Sequence, residues 1–149
     1  MMTSVDTTTP GARLVAPSAL SNADLLALYD SVGWTRYLRD PESLRRALEN
    51  SHRVAAAFDG DRLVGTARTI SDGESIIYLQ DVIVHPNYQR LGIGRSLVKV
   101  IFDSYPGFTG QRVLLTDDEP RQRAFYESLG LTEAHDHDPP LRAFLDVTW

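Results

Sequence analysis

Cysteine is absent from the 149 residues, which excludes disulfides, thiolate metal sites and a cysteine nucleophile. No apolar run is long enough to span a bilayer, and the threonine-rich start lacks the apolar core of a signal peptide. A cytoplasmic protein with no membrane partner is therefore expected. An excess of basic charge is missing as well. Asp and Glu number 20 against 15 Lys and Arg, a formal net charge of −5, which argues against a nucleic-acid partner. There is no Gly-x-Ser-x-Gly elbow, so a serine-hydrolase reading fails. What is present, 42% hydrophobic and 23% charged residues, suits one globular domain with a sizeable core. The expected organisation is a flexible tail over residues 1–10 and a single domain over 11–149.

Periodicity and punctuation divide that domain into elements. A short strand is expected around Leu14 and Val15. Ser21, with Asp24 three residues on, reads as a helix start that carries Leu25, Leu28, Tyr29 and Val32 inward, with Gly33 as its stop. Asp40-Pro41 reads as an N-cap and first helical position, and Leu44, Ala47 and Leu48 form the buried face of a second helix. Strands over Val54–Phe58 and Leu63–Ile70 meet across Asp59-Gly60-Asp61-Arg62, a hairpin signal. A second turn at Ser71-Asp72-Gly73-Glu74 leads into a strand over Ile76–Val84, which completes an antiparallel meander. Ile93, Leu97, Val98 and Ile101 then fall at helical spacing. A strand over Arg112–Thr116, a helix from about Pro120 to Leu129 and a final strand near Leu141–Val147 follow. The class is α+β, a central sheet covered by helices.

The richest stretch is 79–96, where an apolar strand runs through a turn into Gln89-Arg90-Leu91-Gly92-Ile93-Gly94-Arg95-Ser96 and then a helix. That order aims backbone N–H groups of a helix N-terminus at one spot, which suits a pyrophosphate. Gly92 and Gly94 let the backbone approach phosphates, and Arg90 and Arg95 can pair with further oxygens. Two better-known phosphate loops do not fit. A Rossmann loop needs glycine where Leu97 stands, and a Walker A loop needs lysine where Arg95 stands and glycine where Gln89 stands.

The stretch resembles motif A of the GNAT superfamily of acetyl-CoA-dependent N-acetyltransferases, Gln/Arg-x-x-Gly-x-Gly/Ala, through Gln89, Arg90, Gly92 and Gly94. The preceding Asp81-Val-Ile-Val-His-Pro is typical of the strand that feeds it. About 35 residues on, Ala124-Phe125-Tyr126-Glu127-Ser128-Leu129-Gly130-Leu131 resembles motif B, and two motifs in the right order are more specific than either alone. The resemblance covers roughly residues 12–149. It implies a GNAT-like fold, a mixed and mostly antiparallel sheet with helices on both faces. It also implies a V-shaped gap between Asp81–Val84 and Val113–Thr116 that admits the pantetheine arm of acetyl-CoA or CoA. Val82, Ile83 and Val84 would line that gap, with Val82 and Val84 bonding the arm through their backbones. Residues Gln89 to Ser96 would hold the pyrophosphate.

The implied reaction is transfer of acetyl from acetyl-CoA to a primary amine by direct attack in a ternary complex. Tyr126 matches the tyrosine that protonates the departing thiolate in many GNAT enzymes, and its alternative role is a core aromatic. Asp81 is the candidate base, with turn capping or an ion pair to an arginine as its alternative. Tyr78, Gln80, His85 or ordered water are further candidates. At the acceptor end, Tyr29, Asp30 and Trp34 are candidate substrate residues, the aromatics as walls and Asp30 for the ammonium. Plain packing of a helix end is the alternative. The Tyr29–Trp34 run, Asp72-Gly73 and Gln80-Asp81 resemble the subgroup that includes arylalkylamine (serotonin-type) acetyltransferases, hence a small-molecule amine acceptor. A peptide or protein N-acetyltransferase and a CoA-binding regulatory module without turnover are the alternatives. A homodimer is common in the superfamily.

Two features depart from that pattern. Glu119 and Gln122 stand where the family often has Asn and Ala, so Arg121 or Arg123 is the substitute phosphate contact. His135-Asp136-His137-Asp138 carries metal-friendly side chains, but its proline-flanked loop lacks helical i,i+4 pairing, and no metal is expected.

Overall fold

The structure, a computed structural model, describes residues 9–148. The tail expected over 1–10 lies outside the described residues apart from Thr9 and Pro10. The chain forms two compact units, Met1–Leu114 and Leu115–Trp149. The first contains a five-stranded sheet in chain order: β1 (Ala12–Leu14), β2 (Arg53–Asp59), β3 (Arg62–Ser71), β4 (Ile76–Val84) and β5 (Gln111–Val113). Neighbours from β1 to β4 are antiparallel, and β5 runs parallel to β4.

Local chemistry explains the turns of this meander. Asp59 pairs with Arg62 around Gly60, whose φ of 58° is open to glycine. At the next turn one Asp72 oxygen accepts from the N–H groups of Glu74 (2.9 Å) and Ser75 (2.7 Å). The Ser75 hydroxyl and those N–H groups hold the Asp72 carboxyl well below the usual carboxylate range.

Helices cover both faces of the sheet. On one face lie α1 (Asn22–Ser31) and α3 (Pro41–Glu49), joined by the short α2 (Arg36–Arg39). Ser21 accepts from Asp24 N–H and Asp40 from Ser43 N–H, the two caps expected. Leu25, Leu28, Tyr29, Leu44 and Leu48 pack there with Leu20, Val54, Ala56, Leu63 and Ile83. On the other face α4 (Ile93–Asp103) buries Ile93, Leu97, Val98 and Ile101. Each such side chain contributes about 1.5–3 kcal/mol by leaving water. Gly65 permits this approach. A Cβ there would stand 3.0 Å from Ile93 Cγ2 and 3.1 Å from Leu97 Cδ1.

The second unit holds α5 (Pro120–Ser128), a 3-10 turn over Ala134–Asp136 and an extended segment. Three expectations need correction. Helix α2 was not read, because a single turn is too short for periodicity to show. The fifth strand ends at Val113 rather than Thr116, since its partner β4 is kinked beyond Tyr78. No strand forms over 141–147. Pro139 and Pro140 bring no N–H, Leu141 N–H turns back to the carbonyl of Ala134 (2.8 Å), and residues 141–148 are exposed. Among the described residues, no helix is long and apolar enough to cross a membrane.

Candidate active site

The kink in β4 is a β-bulge. Thr66 pairs with Ile83 and Arg68 with Gln80, so Ala67 alone stands opposite both Asp81 and Val82. Asp81 takes the extra length with φ at 56°, a conformation rare outside glycine and tolerated best by Asn and Asp. Pairing of β4 with β5 stops at Tyr78↔Val113, so among the described residues the β4 edge from Leu79 onward has no strand partner on that side.

Which residues face the open edge follows from the register. His85 N–H bonds the carbonyl of Val64 at 2.8 Å, and successive residues of a strand point their backbone groups to opposite sides. Val84, one residue back, therefore turns away from β3, and its carbonyl accepts from Gln89 Nε2 at 3.1 Å. Val82 has the same sense. Ile83 does not. Its carbonyl lies against Gly65 of β3 and its side chain is 2% exposed in the core, so it does not line the gap as expected.

The loop then reaches α4 through two left-handed residues, Arg90 (φ 63°) and Gly92 (φ 84°). Ser96 N–H makes the first helical bond, to the carbonyl of Gly92. The N–H groups of Ile93 and Gly94 precede it and have no acceptor within the helix. Gly92 at the cap has no side chain to accept from them. Partial positive charge is thus concentrated at this helix start, which suits an anion. Arg90, Leu91 and Arg95 are exposed at this end. Ile93 contributes backbone alone, its side chain being buried, and Ser96 Oγ accepts from Ala12 N–H at 2.9 Å.

Asp81 is not the free carboxylate expected of a base. Its Oδ2 accepts from the Tyr29 hydroxyl (2.8 Å) and from Arg68 Nε (3.2 Å) and Nη2 (3.1 Å), and its Oδ1 accepts from Gln80 Nε2 (3.0 Å). The Arg68 and Asp81 side chains are only 6% and 8% exposed. The ion-pair alternative is the one the structure adopts. Burial works against the Arg68 charge, and Asp81, Tyr29 and Tyr37 together more than offset it, so Arg68 is held above its usual range. Burial, then the neighbouring Asp81 charge, lifts the Tyr29 hydroxyl well above its ordinary value, and the same two causes raise Tyr78.

Tyr29 likewise cannot wall a pocket. Its ring is fully buried, edge-on to Trp34 (6.0 Å between centroids) and Tyr37 (5.3 Å). Trp34 is 39% exposed and Asp30 is exposed. His85 caps the turn at Pro86 by accepting from Asn87 N–H, with Arg62 3.1 Å away. Sequence reasoning missed Arg68, although a signal existed. An arginine within Leu63–Ile70 and an aspartate within Ile76–Val84 are each costly in an apolar strand unless paired.

In the second unit, burial pushes the Tyr126 hydroxyl up to about 12. Its ring meets Phe125 edge-on at 4.9 Å. Arg123, a candidate phosphate contact, instead bonds Glu127 (2.5 Å), Asp136 (2.6 Å) and Glu133. The fold also has an open cleft of about 410 Å³ that includes His52, Arg53, Glu74 and Tyr105. It lies at the carbonyl end of α4, and the Tyr105 hydroxyl is already 2.7 Å from both His52 Nδ1 and Thr69 Oγ1.

A profile of the Acetyltransferase (GNAT) family matches residues 19–131, and the chain belongs to that family. It is 34% identical over 113 residues to an uncharacterized N-acetyltransferase ycf52-like protein of Prochlorococcus marinus, covering 73% of this chain and 61% of that one. To the chloroplastic serotonin N-acetyltransferase 2 of Oryza sativa subsp. japonica it is 36% identical over 107 residues, covering 69% and 52%. The chain thus spans between half and two thirds of the length of these relatives. Among solved structures, the GNAT family protein SP0256 from Streptococcus pneumoniae TIGR4 superposes with a TM-score of 0.79 at 32% identity, covering 93% of this chain and 98% of that one. The expected GNAT fold, a mostly antiparallel mixed sheet with helices, is the fold observed.

Proposed function

We propose that this chain transfers an acetyl group from acetyl-CoA to the primary amine of a small molecule, by direct attack within a ternary complex. The observation that carries the reading is the junction of β4 and α4. A strand edge left unpaired beyond Tyr78 leads into a helix start whose first N–H groups have no acceptor in the helix and no side-chain cap. In this reading Val82 and Val84 offer strand-like backbone bonds to an amide-bearing arm, and Gln89, Arg90, Leu91, Gly92, Ile93, Gly94, Arg95 and Ser96 form the pyrophosphate end. When bound, acetyl-CoA supplies the activated acyl group as a thioester.

The remaining steps fall to the chain's own groups and to water. Tyr126 donates a proton to the departing thiolate. Its hydroxyl, lifted to about 12 by burial, keeps its proton through the working pH range and is therefore protonated when the thiolate departs. Water removes the ammonium proton, since the Asp81 carboxylate is committed to Arg68 and Tyr29. Trp34, partly exposed beside the buried Tyr29, suits an aromatic or alkyl amine, in keeping with the rice relative's name.

Free-thiol release from acetyl-CoA against a panel of amines, together with a lysine peptide and a peptide with a free N-terminus, tests the proposal. Turnover favouring small arylalkyl or alkyl amines is expected. Preference for a peptide would make the chain a peptide acetyltransferase, and binding without release against any amine would make it a CoA-binding module. Absence of acetyl-CoA binding would overturn the cofactor assignment.

A further inference from the structure

Three elements converge on the β4 bulge: α1 through Tyr29, β3 through Arg68 and β4 through Gln80 and Asp81. Asp81 sits at φ 56° where one residue of β3 faces two of β4. Left-handed backbone at a side-chain-bearing residue costs roughly 1–2 kcal/mol and persists only where surroundings hold it. The donors on the Asp81 carboxylate are such a restraint, and Tyr29 is itself immobilised by Trp34 and Tyr37. The alternative β4 conformation is a straight strand with no extra residue. That slip would turn every later side chain to the opposite face, withdrawing Ile83 from the core. It would also rotate the Val82 and Val84 backbone groups from the open edge toward β3.

We propose that Tyr29, Arg68 and Asp81 form a positioning lock that holds the β4 bulge, and that Asp81 serves acetyl-CoA binding through strand geometry rather than as a proton acceptor. The acetyl-CoA part rests on the acetyltransferase reading, whereas the lock itself is a property of the unliganded fold. The chemistry of the position explains the choice of side chain. An asparagine at 81 keeps an oxygen for Tyr29 and Arg68 and tolerates the left-handed backbone, while the Gln80 amide can flip to accept from its nitrogen. An alanine does neither.

The test compares the full chain with Asp81→Asn, Asp81→Ala and Tyr29→Phe. Hydrogen exchange in the unliganded proteins reads the lock directly. Amides of 79–84 are expected to exchange at least tenfold faster in Asp81→Ala and Tyr29→Phe than in the wild type. Asp81→Asn should fall between wild type and Asp81→Ala, since it keeps the acceptor oxygen and the left-handed backbone but leaves buried Arg68 without its counter-charge, and amides of 97–101 should be unchanged in all. Acetyl-CoA titration by calorimetry should show about tenfold weaker binding for Asp81→Ala and a smaller loss for Asp81→Asn. Unchanged exchange over 79–84 in Asp81→Ala, or acetyl-CoA affinity equal to wild type in that variant, would overturn the lock. So would thousandfold loss of thiol release in Asp81→Asn with its acetyl-CoA affinity intact, the behaviour of a catalytic base. If the wild type itself binds no acetyl-CoA, the acetyltransferase reading falls while the exchange result still judges the lock.

Discussion

Tyr126 and Arg68 show how environment decides what a side chain can do. A tyrosine hydroxyl titrates near 10.0 when unperturbed, and burial lifts that of Tyr126 to about 12. A group with a raised pKa in the fold contributes stability that is fully present below the unfolded value and is lost as pH rises through the folded one. Tyr126→Phe should therefore reduce the fall in melting temperature between about pH 10 and pH 12. The same substitution should lower kcat by about 10²–10⁴ with little change in KM for acetyl-CoA, measured by thiol release. Unchanged kcat would remove its role as acid. Tyr126 was singled out by its place in a motif, and its role as acid is the proposal these measurements judge. Arg68 carried only the general signal of a charge in an apolar strand, because its partner lies thirteen residues away on the neighbouring strand. Of the two readings of Tyr29, the helix periodicity that carries it inward holds and the pocket wall does not. Its aromatic neighbours in the chain suggested a pocket wall, whereas the ring turned inward and gave its hydroxyl to Asp81.

In the proposed reading the loop between β4 and α4 acts through backbone rather than side chains. Gly92 holds φ at 84° with open space where a Cβ would be, so the cost of a side chain there is conformational, roughly 1–2 kcal/mol. Gly92→Ala is expected to lower stability by that amount in urea unfolding. It should also raise KM for acetyl-CoA about tenfold, because strain at the left-handed cap shifts the first N–H groups of α4. A rise in KM without loss of stability would place the effect on the ligand alone. Most elements were readable beforehand: Ser21 and Asp40 as caps, Gly60 and Asp72 as turn residues, and the apolar stripe of α4. Strand ends were less so. A strand stops where its neighbour diverges, and β5 stops early because β4 bulges at Asp81, information held in another segment. The segment 141–147 has an apolar composition compatible with a strand, but its first N–H bonds Ala134 and no neighbour supplies a ladder.

Stability of the first unit rests on helices packed against both faces of its sheet. Leu97 of α4, fully buried against β3, is the most direct probe. Leu97→Ala should cost about 2–5 kcal/mol in urea unfolding through lost apolar contact and the cavity left behind. An effect under about 1 kcal/mol would mean that α4 settles into the space. Ligand linkage offers a test of the molecule as a whole. Acetyl-CoA at about a hundred times its Kd should stabilise the native state by about 2.7 kcal/mol and raise the melting temperature accordingly. Absence of any shift would remove the assigned cofactor.

Family and fold were open to reading from the chain alone, because the relevant signals are local. Caps and turn residues act within a few positions, apolar periodicity repeats within one helix, and the Gln89–Ser96 loop lies between the strand and helix that frame it. The long-range pairings were decided by folding. Only the sheet register brings Arg68 beside Asp81, and only the packing of α1 carries Tyr29 to the same carboxylate. Alignment of the sheet also turns Val82 and Val84, rather than Ile83, to the open edge. These groups are distant in sequence or alternate by a single residue. Their roles follow from which backbone bonds form across strands, and residue identity alone does not specify those bonds.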